Sequence, residues 1–105
     1  MLLGKATSKN KVPIRLDSER LTHIVSSHPE IEEQDYPSIL NTIKDPDIIL
    51  KGDKMELLAV KKKPRTKFWF VVVYKEITQK DGFVITAYIT SSAEWLFKRK
   101  IIWKR

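Results

Sequence analysis

Residues 68–74 form an uninterrupted run of aromatic and β-branched side chains, Phe-Trp-Phe-Val-Val-Val-Tyr. Successive side chains of a β-strand point to opposite faces of the sheet, so a strand that is apolar at every position needs cover on both faces. The run therefore predicts a central strand with protein packed on both of its sides. Any fold proposed for this chain has to be built around that strand.

Other segments rich in β-branched and aromatic residues predict further strands at 47–51, 55–62 and 83–91, with the central strand extending over 67–77. The strand at 83–91 alternates in polarity, which places the hydroxyl groups of Thr86, Tyr88 and Thr90 in a column on one face. The apolar residues that alternate with them are Phe83, Ile85, Ala87 and Ile89. A short helix at 93–98 and an edge strand at 101–103 complete the predicted C-terminal part.

Two helices are predicted before these strands. Asp17 or Ser18 can cap the first, which ends near Ser27 because Pro29 disfavours helical geometry at His28. The second spans 37–44 and stops at an Asp-Pro pair. The order predicts an α+β fold in which two N-terminal helices pack on an antiparallel sheet of four to five strands. Residues 1–13 are expected as a flexible lead, and residues 14–105 as a single domain.

The composition narrows the possible functions. A chain of 105 residues suits one domain, and it contains no cysteine and two histidines, which disfavours disulfide and zinc frameworks. No Gly-rich phosphate loop and no pair of helical histidines at metal-ligand spacing is present, so neither a cofactor nor a metal is predicted. No apolar run resembles a signal peptide or approaches a membrane span, and a cytoplasmic protein without a membrane partner is the expectation.

Positive charge is concentrated in the C-terminal half of the chain. Residues 1–56 hold 8 basic and 10 acidic side chains, a net charge of −2, whereas residues 57–105 hold 12 basic and 3 acidic side chains, a net charge of +9. Two clusters of Lys and Arg, at 61–67 and 98–105, account for this excess. Phosphate groups are the partner that such clusters favour, and RNA is the predicted ligand, although each cluster alone is also explained as a solvated surface.

Several motifs, taken in order, resemble the small phage-type proteins of the Barnase, EndoU, colicin and RelE-like nuclease superfamily. The motifs are Arg20-Leu21-Thr22-His23-Ile24, His28-Pro29-Glu30, Asp45-Pro46-Asp47, Val71-Val72-Val73-Tyr74-Lys75-Glu76 and Asp81-Gly82-Phe83-Val84-Ile85-Thr86-Ala87-Tyr88. The resemblance covers about residues 14–105. It implies a RelE/barnase-like two-layer fold and a metal-independent endoribonuclease, toxin-like or of phage or mobile-element origin, held in check by an acidic antitoxin or immunity protein.

RNA cleavage without a metal needs a group that takes the proton of the ribose 2′-hydroxyl, a group that protonates the leaving 5′-oxygen, and donors for the phosphate charge. Imidazole titrates near neutral pH and suits the proton transfers. The predicted catalytic residues are therefore His23, His28, Thr86 and Tyr88. The predicted RNA-binding residues are Arg20, Lys62, Lys63, Arg65, Lys75, Thr90, Lys98 and Arg99.

Each of these assignments has a plain structural alternative. On an ideal helix His28 projects with the apolar residues, whereas His23 projects with Arg20 on the opposite side, so His23 is either a site residue or an idle surface histidine. His28 is either a site residue or a histidine that serves the helix end. For the whole chain, the alternative to a nuclease is a non-catalytic RNA-binding or protein-interaction module on the same fold.

Overall fold

The computed structural model describes residues 1–105 and contains seven strands and three helices. The strands are β1 (Leu2–Thr7), β2 (Pro13–Asp17), β3 (Ile48–Lys51), β4 (Leu57–Lys62), β5 (Trp69–Thr78), β6 (Asp81–Thr90) and β7 (Ile101–Lys104). The helices are α1 (Ser18–Ser27), α2 (Tyr36–Lys44) and α3 (Ala93–Leu96), and a 3₁₀ turn at Glu33–Asp35 leads into α2. Helix accounts for 25% of the chain and strand for 43%, so the fold is dominated by its sheet.

All seven strands belong to one mixed sheet in the order β1-β2-β6-β5-β4-β3-β7. The predicted arrangement of two N-terminal helices on an antiparallel sheet of four to five strands is therefore wrong. Two strands precede α1, and β2 runs parallel to β6. The helices α1 and α2 and the strands β3 to β7 do lie close to the positions that their local patterns predict.

Strand β1 lies within the segment that was expected as a flexible lead. It pairs antiparallel with β2, from Leu2 opposite Asp17 to Thr7 opposite Pro13. The sequence pattern does not reveal β1 because the segment is short and contains Gly4, and glycine is depleted in strands. Here Gly4 has a packing reason, because a Cβ at this position would lie 2.8 Å from the Cδ1 atom of Leu40 in α2. The missing side chain lets α2 approach β1.

The parallel contact between β2 and β6 is short and tightly packed. It pairs Ile14 with Gly82 and Arg15 with Phe83. The Arg15 guanidinium donates from Nε and Nη2 to the two carboxylate oxygens of Asp81, at 3.0 and 3.2 Å, which closes this pairing on the solvent side. Beyond residue 83, β6 has no strand neighbour on this side, and α1 packs beside it instead.

The sheet carries a hydrophobic core on each face. On the helix face, which contains Val72 and Ala87, the sheet packs against α1 and α2. On the second face, which contains Val71, Leu96 of α3 packs against the sheet. Because Val71 and Val72 are adjacent in β5 and lie in different cores, the predicted cover on both faces of the central strand is confirmed.

Candidate active site

A β-bulge in β6 sets which side chains this strand presents on the second face. Val73 of β5 pairs with Thr86, whereas the next residue, Tyr74, pairs with Val84. Ile85 is therefore the extra residue of the bulge. Bulges re-aim side chains and are frequent beside active sites, because one extra residue exchanges the two faces of the strand on either side of it.

Because of the bulge, the alternation predicted for this strand is wrong at Phe83. Phe83 lies on the second face with Thr86, Tyr88 and Thr90, and not with the apolar residues opposite them. Val84 takes its place in the core of the helix face, where it is 1% exposed. The hydroxyl column predicted from the sequence is retained, but it begins beside an aromatic ring.

His28 is placed by the end of α1. Its backbone leaves the helical region, with φ −131° and ψ 82°, as expected for a residue before proline. Its N–H still donates to the carbonyl of Ile24, and its own carbonyl accepts from Ile31 N–H, so the residue is held on both sides. The imidazole lies beside the phenol ring of Tyr88, with 5.8 Å between the ring centroids. Sequence reasoning selected both residues, and the fold brings them together.

Glu30 ties this histidine to the end of β6. Its Oε2 atom accepts a hydrogen bond from the backbone N–H of Ile89 at 3.2 Å and lies 3.7 Å from Nδ1 of His28. The carboxylate is thus held by the strand next to Tyr88, within ion-pair distance of the His28 imidazole.

Arg99 lies three residues after the end of α3 and is close to Tyr88. Arg99 and Tyr88 line a common cleft of about 340 Å³ over the second face. Burial raises the pKa of the Tyr88 phenol, and the positive charge of Arg99 offsets part of that rise. The Arg99 guanidinium also donates from Nη1 to the Asp53 carboxylate at 2.7 Å, and this hydrogen bond, together with the positive charge of Arg99, lowers the pKa of Asp53. Tyr88 therefore keeps its proton at neutral pH and lies beside a fixed positive charge.

His23 is not part of this group. Its side chain is exposed on α1 and forms no hydrogen bond or ion pair. Arg20 is half-buried and forms no ion pair. Leu21 and Thr22 face the 3₁₀ turn across a shallow cleft. Because Arg20 precedes Leu21 and Thr22 follows it, Arg20 lies on the side of α1 that faces away from this turn.

Two more predicted residues lie on the second face, Thr90 as a neighbour of Tyr88 and Lys75 four residues along β5 from Val71, the residue that pairs with Tyr88. Lys75 of β5 pairs with Phe83, is half-buried and has no acidic partner within ion-pair distance. Its ammonium group is therefore available to a ligand on that face. Thr90 has a local task, since its hydroxyl accepts a hydrogen bond from Ser92 N–H at 3.0 Å and shapes the turn into α3.

The remaining predicted RNA-binding residues lie around the edges of the second face. Lys62 lies across β5 from Thr90, with its Nζ atom 5.6 Å from the ring centroid of Trp69. Lys63 and Arg65 lie in the turn between β4 and β5, where Arg65 has a positive φ of 63°. Lys98 lies over the exposed ring of Trp95 in α3. The structure thus separates a compact group around Tyr88 from peripheral cations.

A larger cleft, of about 460 Å³, opens between α2 and the β4–β5 turn. Its lysines are partly committed, because Lys61 donates to the backbone carbonyl and the carboxylate of Asp45. Glu30 and Asp35 add negative charge to its wall. It contains no histidine, tyrosine or arginine, whereas Tyr88 and Arg99 both line the smaller cleft and His28 lies beside Tyr88. The smaller cleft is therefore the better candidate for chemistry, although Asp53 and Glu56 also line it and His28 does not.

Sequence reasoning missed Asp53 and left the role of Glu30 open. Asp53 orients Arg99, and the only sequence signal was its place after Gly52 in a presumed turn. Glu30 lies two residues after His28, so the sequence allows it either to orient an imidazole or, as the favoured interpretation, to be an ordinary surface residue. Its role depends on the contact with Ile89, which is 59 residues away in the chain.

No protein-family model, no curated protein and no solved structure matches this chain. No helix in the fold has both the length and the apolar character needed to span a membrane. No group of three or more His, Asp and Glu side chains is arranged to hold a metal ion.

Proposed function

We propose that this protein is a metal-independent endoribonuclease whose active site is the group formed by His28, Tyr88 and Arg99. The observation that carries the proposal is the position of Tyr88, whose ring lies beside the His28 imidazole and which shares a cleft with the Arg99 guanidinium. A base, an acid and a phosphate-binding cation are the three groups that cleavage through the 2′-hydroxyl requires.

His28 acts as the base in this proposal. Its Nε2 atom accepts the proton of the ribose 2′-hydroxyl as the oxygen attacks phosphorus. The imidazolium that forms is stabilised by the Glu30 carboxylate, 3.7 Å from Nδ1. A positioned acid or base of this kind typically contributes about 10² to 10⁴ in rate.

Tyr88 acts as the acid. Because burial raises the pKa of its phenol, the group holds its proton until a strongly basic oxygen develops. The departing 5′-oxygen is such a group, and it takes the phenol proton as its bond to phosphorus breaks. The phenolate that remains is stabilised by Arg99 and regains a proton from water. The products are a 2′,3′-cyclic phosphate and a 5′-hydroxyl end.

Charge on the phosphate is neutralised by Arg99, while the hydroxyl of Thr86 lies next to Tyr88 on the same face and Lys75 lies further along it. The Arg99–Asp53 pair limits how far the guanidinium moves, which favours a preorganised site. The net charge of +9 over residues 57–105 draws RNA toward this half of the chain. It also fits a toxin-like protein of phage or mobile-element origin that an acidic antitoxin or immunity protein restrains.

The first test is cleavage of end-labelled mixed-sequence RNA in excess EDTA. We expect wild type to produce cyclic phosphate ends, and His28→Asn and Tyr88→Phe to cut at least 100-fold more slowly while binding RNA with unchanged affinity. His23→Asn is the matched control and retains wild-type cleavage, because His23 is exposed and lies apart from the site. Salt-sensitive RNA binding without cleavage by the wild-type protein would favour the binding-module alternative.

A second substrate separates the two proton transfers. In RNA with a bridging 5′-sulfur, the thiolate leaves without protonation, so the acid is no longer needed. We expect this substrate to restore cleavage by Tyr88→Phe and to leave His28→Asn defective. Equal rescue of both variants, or of neither, would overturn the assigned roles even if the protein cleaves RNA.

A further inference from the structure

Trp95 is the most exposed aromatic side chain of the protein. Its side chain is 75% exposed, and the next aromatic residue, Phe68, is 39% exposed. Indole is a large apolar group that folding normally buries at least in part. Lys98 lies over this ring, with its Nζ atom 4.6 Å from the ring centroid.

The backbone beneath Trp95 is nevertheless held firmly. The next residue, Leu96, is buried in the core of the second face, and Phe97 packs edge-on against Trp69 with 5.0 Å between ring centroids. Phe97 N–H donates to the carbonyl of Ala93, closing the turn of α3. The indole is therefore presented to solvent on a fixed support, which lowers the entropy that a ligand loses when it stacks there.

Trp95 is also close along the chain to Arg99 of the proposed site. It precedes Arg99 by four residues, a length of chain that spans at most about 14 Å. Lys98 covers one part of the ring with positive charge, and the exposed remainder offers a flat π-surface. A planar ring linked to a phosphate matches both features, since stacking takes the indole and the phosphate takes the ammonium group.

We propose that Trp95 is a base-stacking subsite that binds an unpaired nucleobase flanking the phosphate held at Arg99 and Tyr88. This inference rests on the proposed ribonuclease function and adds that the substrate is single-stranded RNA. Stacking accepts any base, so the subsite selects for an unpaired strand and not for sequence. Trp95 is in this sense a specificity-determining residue.

The test uses a fluorescein-labelled single-stranded oligoribonucleotide with 2′-O-methyl groups, which cannot be cleaved, and anisotropy at fixed salt. We expect Trp95→Ala to raise the dissociation constant about 5- to 150-fold and Trp95→Phe to raise it less. Abasic substitution at one position should weaken binding to wild type and leave Trp95→Ala unaffected. Ile102→Ala is the control, since it removes an exposed apolar side chain from β7 that lies outside both proposed sites.

The outcomes separate the two proposals. Cleavage by wild type together with equal affinity of wild type and Trp95→Ala would overturn the stacking subsite and leave the ribonuclease proposal standing. A wild-type protein that neither binds nor cleaves RNA would overturn both. Far-UV circular dichroism that matches wild type shows that Trp95→Ala is folded, and Trp95→Phe provides a second measurement if it is not.

Discussion

Gly82 is the position at which a single methyl group most directly tests the fold. It lies where β2 runs parallel to β6, paired with Ile14. A Cβ atom on Gly82 would lie 2.5 Å from Cδ1 of Ile14 and 2.6 Å from the carbonyl oxygen of Lys75, against 3.4 to 4 Å for ordinary contacts. Gly82→Ala therefore drives a methyl group into two neighbours at once.

Neither neighbour can give way at low cost. Ile14 is 0% exposed in the core of the helix face, and the Lys75 oxygen belongs to the backbone of β5. Overpacking of a core costs about 1 to 3 kcal/mol, and two fixed neighbours place Gly82→Ala near the upper value. For a domain of about 100 residues, a loss of 3 kcal/mol lowers the melting temperature by roughly 12 to 24 °C.

The assay is urea unfolding followed by tryptophan fluorescence, with Gly4→Ala as the matched control. In Gly4→Ala the new methyl group meets only the end of the Leu40 side chain, at 2.8 Å, and this half-buried side chain can rotate. We expect the control to lose less than about 1 kcal/mol. Equal unfolding midpoints for Gly82→Ala and wild type would refute the parallel contact between β2 and β6.

Two further predictions concern the bulge and an ion pair. Val84→Ala should destabilise the protein by about 2 kcal/mol and Ile85→Ala by less than about 1 kcal/mol, because the bulge buries Val84 fully and Ile85 only in part; equal losses in urea unfolding would contradict the bulge. Arg105 and then Lys61 hold the pKa of Asp45 below its usual value, so its carboxylate stabilises the fold above its unfolded pKa of about 3.9 and loses that effect as the pH falls. The difference in melting temperature between wild type and Asp45→Asn should therefore shrink between about pH 5 and pH 2, and a constant difference would argue against the pair.

The candidate site was only partly predictable. Thr86 and Tyr88 share a face because neighbours two apart in a strand do so, and the hydroxyl pattern reveals this locally. The proline after His28 likewise fixes where α1 ends. By contrast, nothing local links His28 to Tyr88, or Tyr88 to Arg99, because those contacts depend on α1 lying beside β6 and on α3 folding back over the second face.

The sequence by itself determined the elements whose signals are local. The apolar run in β5 required cover on both faces, and helical periodicity with proline stops set α1 and α2. Only the tertiary structure decided that residues 2–7 form a strand, that β2 runs parallel to β6, and that Ile85 bulges. The physical reason is that each of these depends on a distant partner, such as Leu40 for Gly4 or Ile14 for Gly82, whose approach no periodicity along the chain encodes.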